Sequence, residues 1–178
     1  AGTITGTTTD PLTYNTQGTY TIIWTFNDGN GNITTANQNV MVDGPDADLF
    51  GNGSEIMNGD NTPSILDDTN MGILMNSGTV SITKTYTIMN NGNQVLTISG
   101  ITSDDAEFVI SNLSSSTVAP TMTATFDITF TTLIAGLKDA VISINSNSCN
   151  EQPFTFMVDA SFQCPYPNFT FIGGSTTS

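Results

Sequence analysis

The 178-residue sequence has no histidine, only two cysteines and a single tryptophan, and its two cations, Lys84 and Lys138, are both lysines. Each scarcity removes a class of function. Without imidazole there is no histidine base to activate a serine or cysteine nucleophile, and nearly all zinc and iron sites lose their usual ligand. Sixteen acidic residues against two basic ones give a formal charge of −14. No basic patch is available to neutralise phosphates, which excludes the common mode of nucleic-acid binding and attachment to anionic membranes. No apolar run approaches the roughly 18 residues of a membrane span, so membrane insertion is excluded as well. The N-terminus shows neither a signal-peptide pattern nor an initiating methionine. The expectation is an excerpt of a longer, processed product. Two cysteines make no disulfide framework.

What is present is uncharged polarity. The chain holds 31 Thr and 19 Asn, while charged residues are only 10%, against roughly 25% in ordinary soluble proteins. Thr favours pleated, half-buried surfaces and Asn favours turns. With 16 Gly, 7 Pro and 37% apolar residues, the composition describes many strands joined by tight turns around a core.

Residues 1–43 form a first block. Tyr20, Ile22, Trp24 and Phe26 alternate with Thr19, Thr21, Ile23 and Thr25, the period-2 pattern of a strand with one buried face. The turn signal Asn27-Asp28-Gly29-Asn30-Gly31-Asn32 follows, then a strand ending in Val40 and Val42. This predicts a hairpin joined by one earlier strand near Thr3–Thr7. So few strands cannot bury a sheet face unaided, so the block reads as half a domain whose Trp24 needs a covering layer. Residues 44–48 form an acidic junction. Residues 44–72 show little periodicity, and a short edge strand near Leu49–Phe50 followed by a long surface loop is expected there.

From residue 73 the pattern is strand after strand. Tyr86 and Ile88 share one parity and precede the turn Asn90–Asn93; Leu96 with Ile98 and Phe108 with Ile110 follow. Met122, Ala124, Phe126, Ile128 and Phe130 alternate with threonines and Asp127. Ala140, Ile142 and Ile144 come next, then Phe154, Phe156, Val158, Ala160 and Phe162. No segment has a helical period. The fold class is therefore all-β, with residues 49–164 an antiparallel immunoglobulin-like β-sandwich of about seven strands, preceded by the partial β-sandwich of residues 1–43. Residues 165–178 read as a linker or the start of a next module.

Two resemblances attach to these blocks. Gly18, Tyr20, Trp24, Asp28, Gly31 and Asn32 match the Gly-x-Tyr strand, aromatic and Asp-x-x-Gly-Asn turn of a hyalin-repeat domain, of which residues 1–43 resemble the C-terminal half. Residues 46–163 resemble a choice-of-anchor D domain, related to hydin-type immunoglobulin-like modules. The matching pieces include FGNGSEIMNGDNTPS, DDTNMG, TYTIMNNGNQVLTISGI and INSNSCNEQPFTF. The Gly-rich exit of such modules is replaced here by Gln163-Cys164-Pro165. Both families occur as repeats in large bacterial surface and secreted proteins. The resemblance implies an extracellular location, at the cell surface or secreted, and a structural role in a stalk, adhesin or fibre. Partners would be neighbouring modules of the same polypeptide or other copies.

Candidate chemistry is sparse. Asp43, Asp46 and Asp48 cluster at the junction and could hold a structural calcium, since hard cations take carboxylate oxygens from loops. Asp28, Asn30 and Asn32 offer oxygens at i, i+2 and i+4, against the ordinary reading that such turns bond their own backbone. No cofactor is otherwise expected. Asp67-Asp68 and Asp104-Asp105 are adjacent pairs, and neighbours on an extended chain point in opposite directions, so no catalytic pair and no enzyme is predicted. A strand over Phe154–Phe162 spans roughly 30 Å, which keeps Cys149 and Cys164 from pairing, because a disulfide needs Cα atoms within about 7 Å. Exposed Thr rows and the aromatics Tyr20 and Trp24 leave carbohydrate binding, with surface glycans as partners, as one alternative. The other is a filament subunit completed by strand exchange with a neighbouring copy.

Overall fold

The computed structural model describes residues 3–14, 18–75, 81–149 and 152–164, and every regular element among them is a strand. β1 (Gly18–Asn27) and β2 (Ile33–Val42) form an antiparallel hairpin with Trp24 opposite Ala36. Its turn closes because Asp28 accepts hydrogen bonds from the backbone of Asn30 (2.8 Å) and Asn32 (3.1 Å), while Gly29 and Gly31 take positive φ.

Ten further strands follow: β3 (Ala47–Gly51), β4 (Ser54–Ile56), β5 (Asn70–Met75), β6 (Ile82–Asn90), β7 (Leu96–Ser103), β8 (Phe108–Ser111), β9 (Thr117–Val118), β10 (Thr123–Phe130), β11 (Gly136–Ser146) and β12 (Phe154–Gln163). They make two five-stranded sheets, β4-β3-β6-β10-β8 and β5-β12-β11-β7-β9. All pairings are antiparallel except β12 with β5. Alternate residues of both sheets meet in one core: Leu49, Ile88 and Phe126 from the first, Leu74, Ile142 and Phe156 from the second. Tyr86 is fully buried among them, its ring 5.5 Å from Phe126 and 5.6 Å from Phe156, and so ties one sheet to the other. This is an immunoglobulin-like β-sandwich.

Several expectations need correction. Among the described residues the sandwich has ten strands rather than about seven. β4 and β9, three and two residues long, are too short to carry a period. The long loop expected after Phe50 contains β4 and β5, and β4 flanks β3, so Leu49–Phe50 is not an edge. Met122 is 59% exposed rather than part of the core. Thr121 takes φ of 64° in a turn closed by Met122 N–H to Ala119 O (3.0 Å), and the extended chain begins only at Thr123.

The hairpin is less well covered than its alternation suggests. Ile22 is buried, but Tyr20, Trp24 and Phe26 are half-buried. The strand expected near Thr3–Thr7 reduces to one bridge, Thr7 to Thr25. Gly6 packs on the Phe26 ring so tightly that a Cβ would lie 2.8 Å from it, and Tyr14 stacks on Tyr20 at 4.1 Å.

Candidate functional site

The feature with the most specific geometry is the joint between hairpin and sandwich. Only residues 43–46 separate β2 from β3, and Gly44 and Pro45 are buried although they lie in a connection. The turn after β6 grips them. Asn93 donates from its backbone to Gly44 O (3.3 Å) and from its side chain to the Asp43 carboxylate (2.6 Å). Asn91 N–H donates to Asp46 O (2.9 Å), and Cys149 N–H to Pro45 O (3.2 Å). Gly92 lies against this backbone, and a Cβ there would collide with Gly44 O and come within 2.6 Å of Asp46 N. Glycine is required by close approach rather than by its own φ.

Asn90 organises the grip. Its side chain is fully buried. It donates to Gln94 O (2.6 Å) and Val118 O (2.9 Å) and accepts from Gly92 N–H (3.1 Å) and Asp46 N–H (3.3 Å). One amide thus holds the turn, β9 and the joint, with its polar atoms satisfied where water is excluded.

The residues proposed for calcium, Asp43, Asp46 and Asp48, all fall in this region. The Asp43 carboxylate is engaged by Asn93. Asp48 is half-buried, and burial with the nearby charges of Asp46 and Glu55 raises its pKa. Among the described residues no group of three or more acidic or cysteine side chains converges as metal ligands. The Asp28 loop uses its carboxylate on its own turn, including the Asn32 side chain (2.6 Å), which lowers the pKa of Asp28.

The remaining candidates resolve into local structure. Asp67 accepts from Thr69 and is buried, while Asp68 pairs with Lys84 at 2.6 Å. Asp104 accepts from Val141 N–H (2.7 Å) and Asp105 from Glu107 N–H (2.7 Å). The second lysine, Lys138, pairs with Glu107 at 2.9 Å. Thr hydroxyls on the outer sheet face bond across strands, Thr83 to Thr129 (2.9 Å) and Thr85 to Asp127 (2.7 Å). The Trp24 indole N–H donates to Gln38 of its own hairpin (2.9 Å). Cys149 and Cys164 are free and exposed, and the 165–178 linker expectation lies outside the described residues.

Sequence reasoning marked Asn90–Asn93 only as a turn and missed that it clasps Asp43–Asp46. The signal available was the Asn-Asn-Gly-Asn composition; the partner, more than 40 residues away, has none.

No known protein-family description matches the sequence, and no curated protein is significantly similar. Solved structures are. A protein of unknown function from Porphyromonas gingivalis W83 superimposes with a TM-score of 0.51 at 14% identity, covering 82% of this chain and 66% of that one. The VesB protease of Vibrio cholerae gives 0.40 at 11% identity over 52% of this chain and 30% of its own. SSP-19, an MSP-domain-like protein of Caenorhabditis elegans, gives 0.37 at 17% identity over 54% of this chain and 95% of its own. At these identities the first likeness concerns fold alone, and this chain spans just under two thirds of that protein.

Proposed function

We infer that the chain is a non-catalytic spacer: a hyalin-repeat-like hairpin fixed to a choice-of-anchor D-like sandwich, within the stalk of a large extracellular bacterial adhesin or surface fibre. The observation that carries this reading is the joint. A connection of four residues, two of them buried, is gripped by the turn Asn91–Asn93, with Gly92 pressed on its backbone. A flexible tether would need none of this, since exposed Gly- or Ser-rich linkers suffice where modules move independently. A spacer needs its bending restricted, and backbone contacts at the joint restrict it. The low-charge Thr/Asn surface and acidic balance suit a segment that must stay soluble without sticking.

The test is the width of a distance distribution. With Cys149 and Cys164 replaced by Ser, spin labels at Thr34→Cys and Thr123→Cys are expected to give one narrow peak, which Gly92→Val broadens. A broad distribution in the parent would contradict the spacer reading.

A further inference from the structure

Edge strands expose unpaired backbone groups, and proteins blunt them by shortening, charge, proline, bulges or cover. In the sandwich the edges are blunted. β4 has three residues and carries Glu55, β8 has four and β9 two. β5 is interrupted by Gly72 at φ 102° and an irregular register with β12. In the hairpin, β1 is covered: Thr7 and Thr25 exchange two backbone hydrogen bonds, and Ile23 N–H donates to Asp10 (2.7 Å). β2 has none of these devices. Its ten residues, ITTANQNVMV, contain no charge, no proline and no bulge, its first seven are exposed, and among the described residues it pairs only with β1.

Which backbone groups it presents follows from the register. Thr25 directs its N–H and C=O to Thr7, away from β2, so Thr25–Thr35 is a non-hydrogen-bonded pair. By alternation Ile33, Thr35, Asn37, Asn39 and Met41 turn their backbone groups outward. This outward set is nearly a palindrome about Asn37. Antiparallel pairing of two β2 strands about that residue sets Ile33 opposite Met41, Thr35 opposite Asn39, and Asn37 opposite itself. Apolar meets apolar and amide meets hydroxyl or amide. In a chain of net charge −14, no like-charged pair falls within the strand, and Asp43 would lie opposite Gly31.

We propose that β2 is a homotypic docking edge, on which a second copy of the chain pairs β2 to β2, antiparallel about Asn37. The union converts two ribbons into one four-stranded sheet with about ten new backbone hydrogen bonds. Isolated two-stranded hairpins are marginal, and sheets of more strands are not. The twofold relation also sets both Trp24-bearing faces on the same side, as an isologous interface requires. The contact is lateral, between stalks lying side by side.

Sedimentation equilibrium of the whole chain tests it. The native protein is expected to reach twice the 18.8 kDa of one chain at high concentration. Asn37→Asp and Asn37→Lys each set like charges opposite one another and should weaken association several-fold. Neither touches an intramolecular bond, so melting curves recorded on dilute monomer should stay native. Mixing the two variants restores dimers, because unlike charges then face each other. A native chain that stays monomeric at roughly millimolar concentration, dimers indifferent to both substitutions, or a mixture no more associated than either variant would overturn the proposal.

Discussion

Asn90 carries more of the joint than any charged residue does. Its buried amide serves two carbonyls and two N–H groups, and removing it leaves an empty polar site with the buried Val118 carbonyl unpaired and three part-buried groups short of a partner. Asn90→Ala should therefore destabilise the protein by roughly 3 kcal/mol, measurable as a lower urea midpoint. A midpoint within error of the native one would mean that the network is replaceable. Asp159 works in the opposite direction. It lies opposite Asp139 and beside Asn70, one carboxylate oxygen is buried without a hydrogen-bond partner, and burial followed by Asp139 raises its pKa. A raised carboxyl pKa means that the ionised form costs stability above the folded-state value, and that this cost vanishes below the unfolded value near 3.8. Asp159→Asn should accordingly stabilise the protein at pH 7, by at most about 1 kcal/mol after solvent screening, seen as a higher melting temperature, and leave the melting temperature unchanged near pH 3. Calorimetry at the two pH values decides; equal effects at both would refute the ionisation argument.

Among elements, β10 shows where alternation is informative. Ala124, Phe126, Ile128 and Phe130 are buried as their parity demands, because a strand between two neighbours has one face on the core and one on solvent. Phe126→Ala, which removes a ring packed on Tyr86, should cost about 3–5 kcal/mol, read as a shift in the denaturation midpoint with an unchanged slope. A loss below about 1 kcal/mol would place that ring outside the core. The same alternation failed at Met122, where the left-handed Thr121 holds the chain in a turn, and at β4 and β9, where two or three residues hold no period. It overstated the burial of Trp24, because alternation reports a face fit for covering and not the presence of a cover. The joint was half legible. The acids of 43–48 were visible, but only the fold brings Asn91–Asn93 to them.

For the molecule as a whole, these pieces describe architecture held by backbone and amide hydrogen bonds, with each lysine committed to a carboxylate. Since the Asp43 carboxylate is engaged by Asn93, the melting temperature should move by less than about 1 °C between chelator and millimolar calcium; a larger rise with calcium would place an ion at the joint. The central claim is that hairpin and sandwich move as one body. Residual dipolar couplings of backbone amides, recorded on dilute monomer, test it directly. Couplings from Gly18–Val42 and from Ala47–Gln163 should fit a single alignment tensor of common magnitude and axes. Two tensors, with the hairpin's markedly smaller, would show a free hinge and contradict the account.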